Sequence, residues 1–287
     1  MSAIAQMLAA IGGASLGAWV AGGNLITARQ LLAGAGTKTA ALSFGGSGGR
    51  KTESYNGTSW AAGGDLITNV QGNAGCGSTT DAASFGGNLA GAPYYSSATE
   101  KYNGSAWASS GTMTYGGYAT AGCGTSSAAL SFGGSRPSIA AALSQSFNGT
   151  AWTAATSLPA PRRYHAGVGL STAALSFGGD DDSDVKSATV ASYNGTTWAS
   201  GGSLLATRNR HSGSGSATAA LCFYGSRGVF SGAAGSTELY NGTVWSSGAT
   251  TLATYTYSAA GCGTSAAALV FGGSDGGALS ATESFTA

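Results

Sequence analysis

An all-β ring built from six copies of one unit is predicted, and three observations predict it. Phe-Gly-Gly recurs at Phe44, Phe85, Phe132, Phe177 and Phe271, with Phe223-Tyr224-Gly225 as a sixth copy. All six tryptophans, Trp19, Trp60, Trp107, Trp152, Trp198 and Trp245, fall in one register with those phenylalanines. The phrase "SYNGTSW" (residues 54 to 60) returns as "KYNGSAW", "SFNGTAW", "SYNGTTW" and "LYNGTVW", each time setting Asn-Gly between an aromatic residue and Trp. Successive phenylalanines stand 41, 47, 45, 46 and 48 residues apart. Periods in this range mark arrays in which each unit buries its apolar face against the next.

Each unit divides into four strands. Strand a holds a Gly-x-Gly core, as in "AGCGT" at 121 to 125. Strand b is "AALSFGG" or close to it. Strand c ends in Tyr or Phe before Asn-Gly, and strand d starts with the Trp. Asn-Gly is the strongest two-residue hairpin signal, because a type I′ turn needs φ > 0 at both central positions. With Asn56 and Gly57 as that turn, Tyr55 is expected opposite Thr58 and Glu53 opposite Trp60, and Tyr55 then meets Trp60 diagonally. The competing reading of Asn56, Asn103, Asn148, Asn194 and Asn241 as glycosylation acceptors requires a secretory route.

Composition narrows the function classes. The chain has 287 residues, a net charge of +1, only 8% charged residues, 43% apolar residues and 50 glycines. That balance offers no electrostatic handle for nucleic acid or an acidic membrane surface. Residues 3 to 23 carry no charge, but glycines interrupt them and nothing basic precedes them. A secretory signal lacks its n-region there, and a membrane helix is allowed by length but weakly supported by composition, so a cleaved or membrane segment is the competing reading of this stretch.

Gly-Gly after an apolar run, then an aromatic, then Trp is the order of the kelch repeat. "RRYHAGVG" (162 to 169) and "RNRHSGSG" (208 to 215) also resemble the Arg-x-x-His start of kelch strand a. The resemblance covers about residues 19 to 287 and implies a six-bladed β-propeller of the galactose-oxidase type. It says little about function, since such propellers serve many roles. The apolar N-terminus, small neutral residues and kelch-like units together also resemble, more loosely, bacteriophage virion proteins.

The two ends of the chain are complementary. "ATESFTA" stops at strand c of a sixth blade, while Trp19 has no strands before it. Residues 18–287 are therefore expected to form a propeller whose last blade is completed by the N-terminal strand, leaving no large open edge. Residues 1–17 form a separate apolar anchor segment. In it Ile4, Met7, Leu8 and Ile11 follow a helical spacing, and Ser2 stands where a helix cap would.

Length variation separates the two ends of the ring. Trp to the next Phe is 25 residues in five units and 26 in the last, and Tyr or Phe to Trp is always 5. Phe to the following Tyr or Phe ranges from 11 to 17, so nearly all insertion lies in the b–c loop. That loop shares a face with the d–a segments, which keep their length but change residues. Binding usually resides on such loops. The variable face is the expected recognition surface, with Tyr94, Tyr95, Tyr115, Tyr118, Arg162, Tyr164, Arg208, Phe230, Tyr255 and Tyr257 as its ligand-binding candidates.

Chemistry is sparse. A galactose-oxidase-like metal site would draw on His165, His211 and nearby tyrosines, but the expected role of both histidines is to hydrogen-bond nearby backbone. Cys76, Cys123 and Cys262 fill the x of Gly-x-Gly, where other units have Ala35, Val168 and Ser214, so small packed residues are expected. "DDDSD" (180 to 184) lacks the Gly and final Glu of an EF-hand loop and is expected to be a solvated acidic loop. Glu53, Glu100, Glu238 and Glu283 recur beside the c–d hairpin, with Gln145 and Ala191 substituting, and are expected to make a structural hydrogen bond. The expectation is a non-enzymatic protein of a virion or extracellular surface, without cofactor. It would be held to other subunits through residues 1–17 and would engage host-surface glycan, with no nucleic-acid or membrane partner. The alternatives are a purely architectural decoration protein and a metal-dependent oxidase.

Overall fold

The computed structural model describes residues 17–89, 94–136, 139–226, 236–251 and 256–287. They form a six-bladed β-propeller, each blade a four-stranded antiparallel sheet. Blade 1 consists of strand a (Ala33–Gly36), b (Ala41–Phe44), c (Thr52–Tyr55) and d (Trp60–Ala62). Blades 2 to 5 repeat that order within residues 74–109, 121–155, 166–200 and 212–251. Blade 6 has Ala260–Gly263, Ala267–Phe271 and Thr282–Thr286 as strands a to c, and Ala18–Ala21 supplies its strand d. Trp19 stands directly opposite Phe285, so the two chain ends close the ring as expected. Among the described residues no helix is long and apolar enough to cross a membrane. The anchor candidates Ile4, Met7, Leu8 and Ile11 lie outside the described residues.

The repeated residues meet between blades. Each Trp packs on the strand b Phe of the preceding blade, with ring centroids 4.8 to 5.1 Å apart. It also packs on the strand c aromatic of its own blade at 5.0 to 5.2 Å. The indole N–H reaches the preceding blade as well: Trp60 donates to Thr282, Trp107 to Thr52, Trp152 to Thr99, Trp198 to Ser144 and Trp19 to Thr237, at 2.8 to 3.2 Å. The sixth, Trp245, has Val190 in place of that hydroxyl, and its buried Nε1 has no acceptor.

Both glycines of Gly-x-Gly have a steric cause. A Cβ on the first one (Gly34, Gly75, Gly122, Gly167, Gly213, Gly261) would come within 2.4 to 2.7 Å of the preceding blade's Phe Cζ. The second one holds φ between +101° and +113° at the a–b turn, a backbone that side-chain-bearing residues avoid.

The c–d hairpin corrects one expectation. Tyr55 pairs with Trp60 and Glu53 with Ala62, so four residues, 56 to 59, make the turn. Gly57 has positive φ (+98°), and Asn56 does not. Asn56 instead accepts hydrogen bonds at Oδ1 from the backbone N–H groups of Thr58 and Ser59, at 3.0 and 2.9 Å. The same side-chain turn recurs at Asn103, Asn148, Asn194 and Asn241. The longer loop sets the aromatic residue and the Trp directly opposite each other across the strands, a closer pairing than the diagonal one.

Candidate functional site

The b–c loop is tied to the d–a segment in every blade. The residue three before strand a exchanges backbone hydrogen bonds with the residue after Phe-Gly-Gly at Gln71 and Asn88, Tyr118 and Ser135, Arg163 and Asp180, Asn209 and Ser226, and Tyr257 and Ser274. In blade 1, Ser47 N–H donates to the Gln30 carbonyl. Loops of unequal length are thus pinned at one end of the ring, and the a–b and c–d turns occupy the other.

Beneath these loops lies a set of buried polar side chains. Glu53 accepts from the N–H groups of Ile26 and Thr27, and Glu100 from those of Ile67 and Thr68, at 2.7 to 3.1 Å. Gln145 bonds both ways with the backbone of Tyr115. Glu238 accepts from Leu205 N–H at 2.7 Å. The recurring carboxylate therefore caps the d–a segment, as its repetition suggested. Blade 4 has Ala191 at that position and Pro159, which has no N–H, where Ile26 stands in blade 1. The missing acceptor meets a missing donor.

Arg162 and Arg208 are corrected from the recognition surface to the interior, being 4% and 0% exposed. Arg208 is ion-paired with Glu238 and donates to the Tyr224 and Ser236 carbonyls. Arg162 donates to the carbonyl and hydroxyl of Thr189 at 3.1 and 2.8 Å, and burial lowers its pKa. Arg29, missed as a site residue, is their equivalent in blade 1. It pairs with Glu53 at 3.0 Å and donates to the Gly45 and Lys51 carbonyls. Its signal was present: Arg29, Arg162 and Arg208 all stand four residues before strand a. The shared role is to anchor the b–c loop from below.

The acidic run is corrected at one residue: Asp181, Asp182 and Asp184 are exposed, as expected of a solvated loop. Asp180 is 1% exposed, not solvated. It pairs with Arg163 Nε at 2.9 Å and accepts from the Asn209 side chain. Arg163 also reaches Asp184 at 2.6 Å. Burial opposes its charge, but the bonds and charges of Asp180 and Asp184 outweigh that and raise its pKa. Asp182 accepts from Ala140 N–H in the neighbouring blade's loop.

The cysteines behave as small packed residues. Cys76, Cys123 and Cys262 are buried, free of disulfides, and directed at backbone carbonyls of the next blade. Burial pushes the thiols of Cys76 and Cys262 up to about 12. His211 Nε2 lies 3.0 Å from the Phe177 carbonyl, and burial followed by the charge of Arg208 lowers its pKa to about 3. His165 sits equivalently against Phe132 and is lowered well below its ordinary value, by burial and then by Arg162. Among the described residues no three His, Cys, Asp or Glu side chains converge as a metal-ligand set.

Among the described residues, two concave regions on the variable face bear on binding. The first is an open groove of about 690 Å³ between blades 2 and 3, walled by Tyr95, Met113, Gly116, Arg136, Ala140 and Leu143. The guanidinium of Arg136 lies 4.4 Å from the centre of the Tyr115 ring and donates through Nε to the Gly116 carbonyl. Tyr94, beside Tyr95, is 61% exposed.

The second is the axial mouth. The residues two before strand a, Leu31, Gly72, Ala119, Tyr164, Arg210 and Ser258, all adopt the left-handed conformation, φ +51° to +62°. Each donates its N–H to the carbonyl of its equivalent in the preceding blade, at 2.7 to 3.2 Å, closing a circle of six bonds. Left-handed backbone costs about 1–2 kcal/mol per side-chain-bearing residue, and the circle offsets it by leaving none of these groups orphaned. Tyr164 donates its hydroxyl to that of Tyr118 at 3.1 Å, with the rings edge to face. Burial, then that bond, raises the Tyr118 pKa. Arg210 covers the Tyr164 ring at 4.1 Å.

Of the predicted ligand-binding residues, Tyr95 lines the groove, Tyr115 stands against its Arg136, Tyr94 is exposed next to Tyr95 in sequence, and Tyr118 and Tyr164 meet at the mouth. Tyr257 is half-buried on the other side of the axis, and Phe230 and Tyr255 lie outside the described residues. Arg136 and Arg210 were not singled out from the sequence, because nothing in the repeat distinguishes an exposed arginine from a buried one. No protein-family model and no curated protein matches the chain.

Proposed function

We propose that this chain is a non-enzymatic, kelch-like binding propeller of a virion or other extracellular surface. Residues 1–17 hold it to neighbouring subunits, and its b–c/d–a face engages host-surface glycan. The observation that carries the reading is the groove between blades 2 and 3, which opens on the end of the ring where the six units differ. Its wall joins apolar surface from Met113 and Leu143 to the polar groups of Tyr95, Ser97, Thr114 and Arg136. A sugar ring has that same division, an apolar face bounded by hydroxyls. Aromatic and aliphatic walls with a few fixed polar groups are how such ligands are held. The cation–π contact of Arg136 with Tyr115 adds rigidity, worth about 0.5–1 kcal/mol at an exposed site.

A glycan array probed with the intact chain tests this reading. Binding is expected, and Tyr95→Ala and Arg136→Ala should each weaken it by about tenfold, ~1.4 kcal/mol. Both side chains are half-buried, and Arg136→Ala also loses the contact with Tyr115, so unfolding stability should shift by no more than about 1 kcal/mol. A blank array, or variants that bind as the parent does, would sink the proposal.

A further inference from the structure

The axial mouth holds a cation without an anion. Arg210 stacks on Tyr164, and its backbone is spent on the circle of hydrogen bonds. All eleven acidic residues lie among the described residues, and none pairs with it. By contrast, Arg29 and Arg208 have Glu53 and Glu238, and Arg163 has Asp180 and Asp184. A planar guanidinium held against an aromatic face presents its remaining N–H groups in the geometry that carboxylates match.

The cavity beside it measures about 90 Å³, and Tyr164, Arg210, Ser258, His211 and Asn73 are among the residues on its wall. Three of these carry buried polar atoms without a partner: Ser258 Oγ, His211 Nδ1 and Asn73 Oδ1. Their residues are 6% to 7% exposed. Ser258 offers a donor. With Nε2–H donating to the Phe177 carbonyl, His211 Nδ1 offers a lone pair. Asn73 uses its amide N–H on Ser84, leaving its oxygen as an acceptor. That space admits several water-sized groups. A carboxylate with one adjacent hydroxyl fits that volume and that mixture of donors and acceptors.

We infer that the axial mouth is a subsite for an acidic sugar residue, the carboxylate meeting Arg210 and Ser258 and a neighbouring hydroxyl meeting His211 or Asn73. The sugar as carrier of that carboxylate rests on the glycan reading above. A neutral sugar would leave Arg210 without a counterion, and a polyacidic peptide would bring several carboxylates to a single cation.

Titration calorimetry of the full chain with methyl β-glucuronide and with methyl β-glucoside tests the inference. The acid should bind about tenfold or more tightly than the neutral sugar, as one charge-assisted contact implies. Arg210→Asn should abolish that preference. Asn tolerates the left-handed backbone, so the circle of hydrogen bonds and the fold persist. Ser258→Ala should weaken the acid, and Tyr95→Ala should leave the preference intact. Equal affinity for both sugars, a preference surviving Arg210→Asn, no glucuronide binding, or binding of a glutamate-rich peptide in its place would overturn it. Glucuronide preference with a blank array sinks the groove reading alone. Array binding without acid preference sinks this inference alone.

Discussion

Blades 4 and 5 share a buried arginine in the same place but differ in what lies beneath it. In blade 5, Arg208 meets Glu238, whose carboxylate also caps Leu205 N–H. In blade 4, Arg162 meets only the neutral oxygens of Thr189, because strand c carries Val190-Ala191 where blade 5 carries Thr237-Glu238. The same two substitutions remove the acceptor for Trp245 and the cap for a segment that begins with Pro159. The difference shows that the repeat is two systems. The Trp, Phe and Gly contacts between blades tolerate almost no change. The polar layer under the loops changes in matched sets, so that a lost carboxylate coincides with a lost N–H.

The arginines give the sharpest test of that division. Arg208→Met strands the Glu238 carboxylate in the interior and should cost about 4 kcal/mol, since removing one partner of a buried pair leaves an uncompensated charge. Arg162→Met strands no carboxylate and should cost no more than about 1 kcal/mol. Denaturant unfolding of both variants measures the gap; equal losses would mean that the arginines act alike whatever lies below them.

The contacts between these blades can be broken directly. Gly213→Ala would bring a Cβ within 2.6 Å of Phe177 Cζ, and Phe177 is fully buried with Trp245 against it. Overpacking of this kind should destabilise by about 2 kcal/mol. A neutral result in thermal unfolding would show that the interface yields, against the claim of an intolerant spine.

The smallest expected effect has the opposite sign. Val190→Thr restores the hydroxyl that the other five tryptophans meet and should stabilise by about 1 kcal/mol, the net worth of a buried hydrogen bond. A lower melting temperature would indicate that the pocket around Trp245 has closed against a polar group.

The ring, its count of blades and its closure were legible because they follow from local and periodic facts. The Phe and Trp registers repeat, and an unpaired strand at one end needs the strand missing at the other. The hairpin register was not legible, because Asn-Gly supports both a two-residue turn and a four-residue one. Only the pairing of Tyr55 with Trp60 shows that Asn56 serves through its side chain. Arg162, Arg208 and Asp180 read as surface charges for a similar reason. Charge predicts exposure unless a partner is near, and their partners lie 17 to 30 residues away.

What the sequence by itself determined is therefore the scaffold: aromatic and glycine positions whose packing partners recur at a constant interval. Tertiary structure alone decided which polar residues sink beneath the loops and which stand at the mouth. Burial of a charge depends on the neighbour that neutralises it, and that neighbour is set by the fold. Arg208 and Arg210 are two residues apart; one has Glu238 within reach, and the other has only the face of a tyrosine.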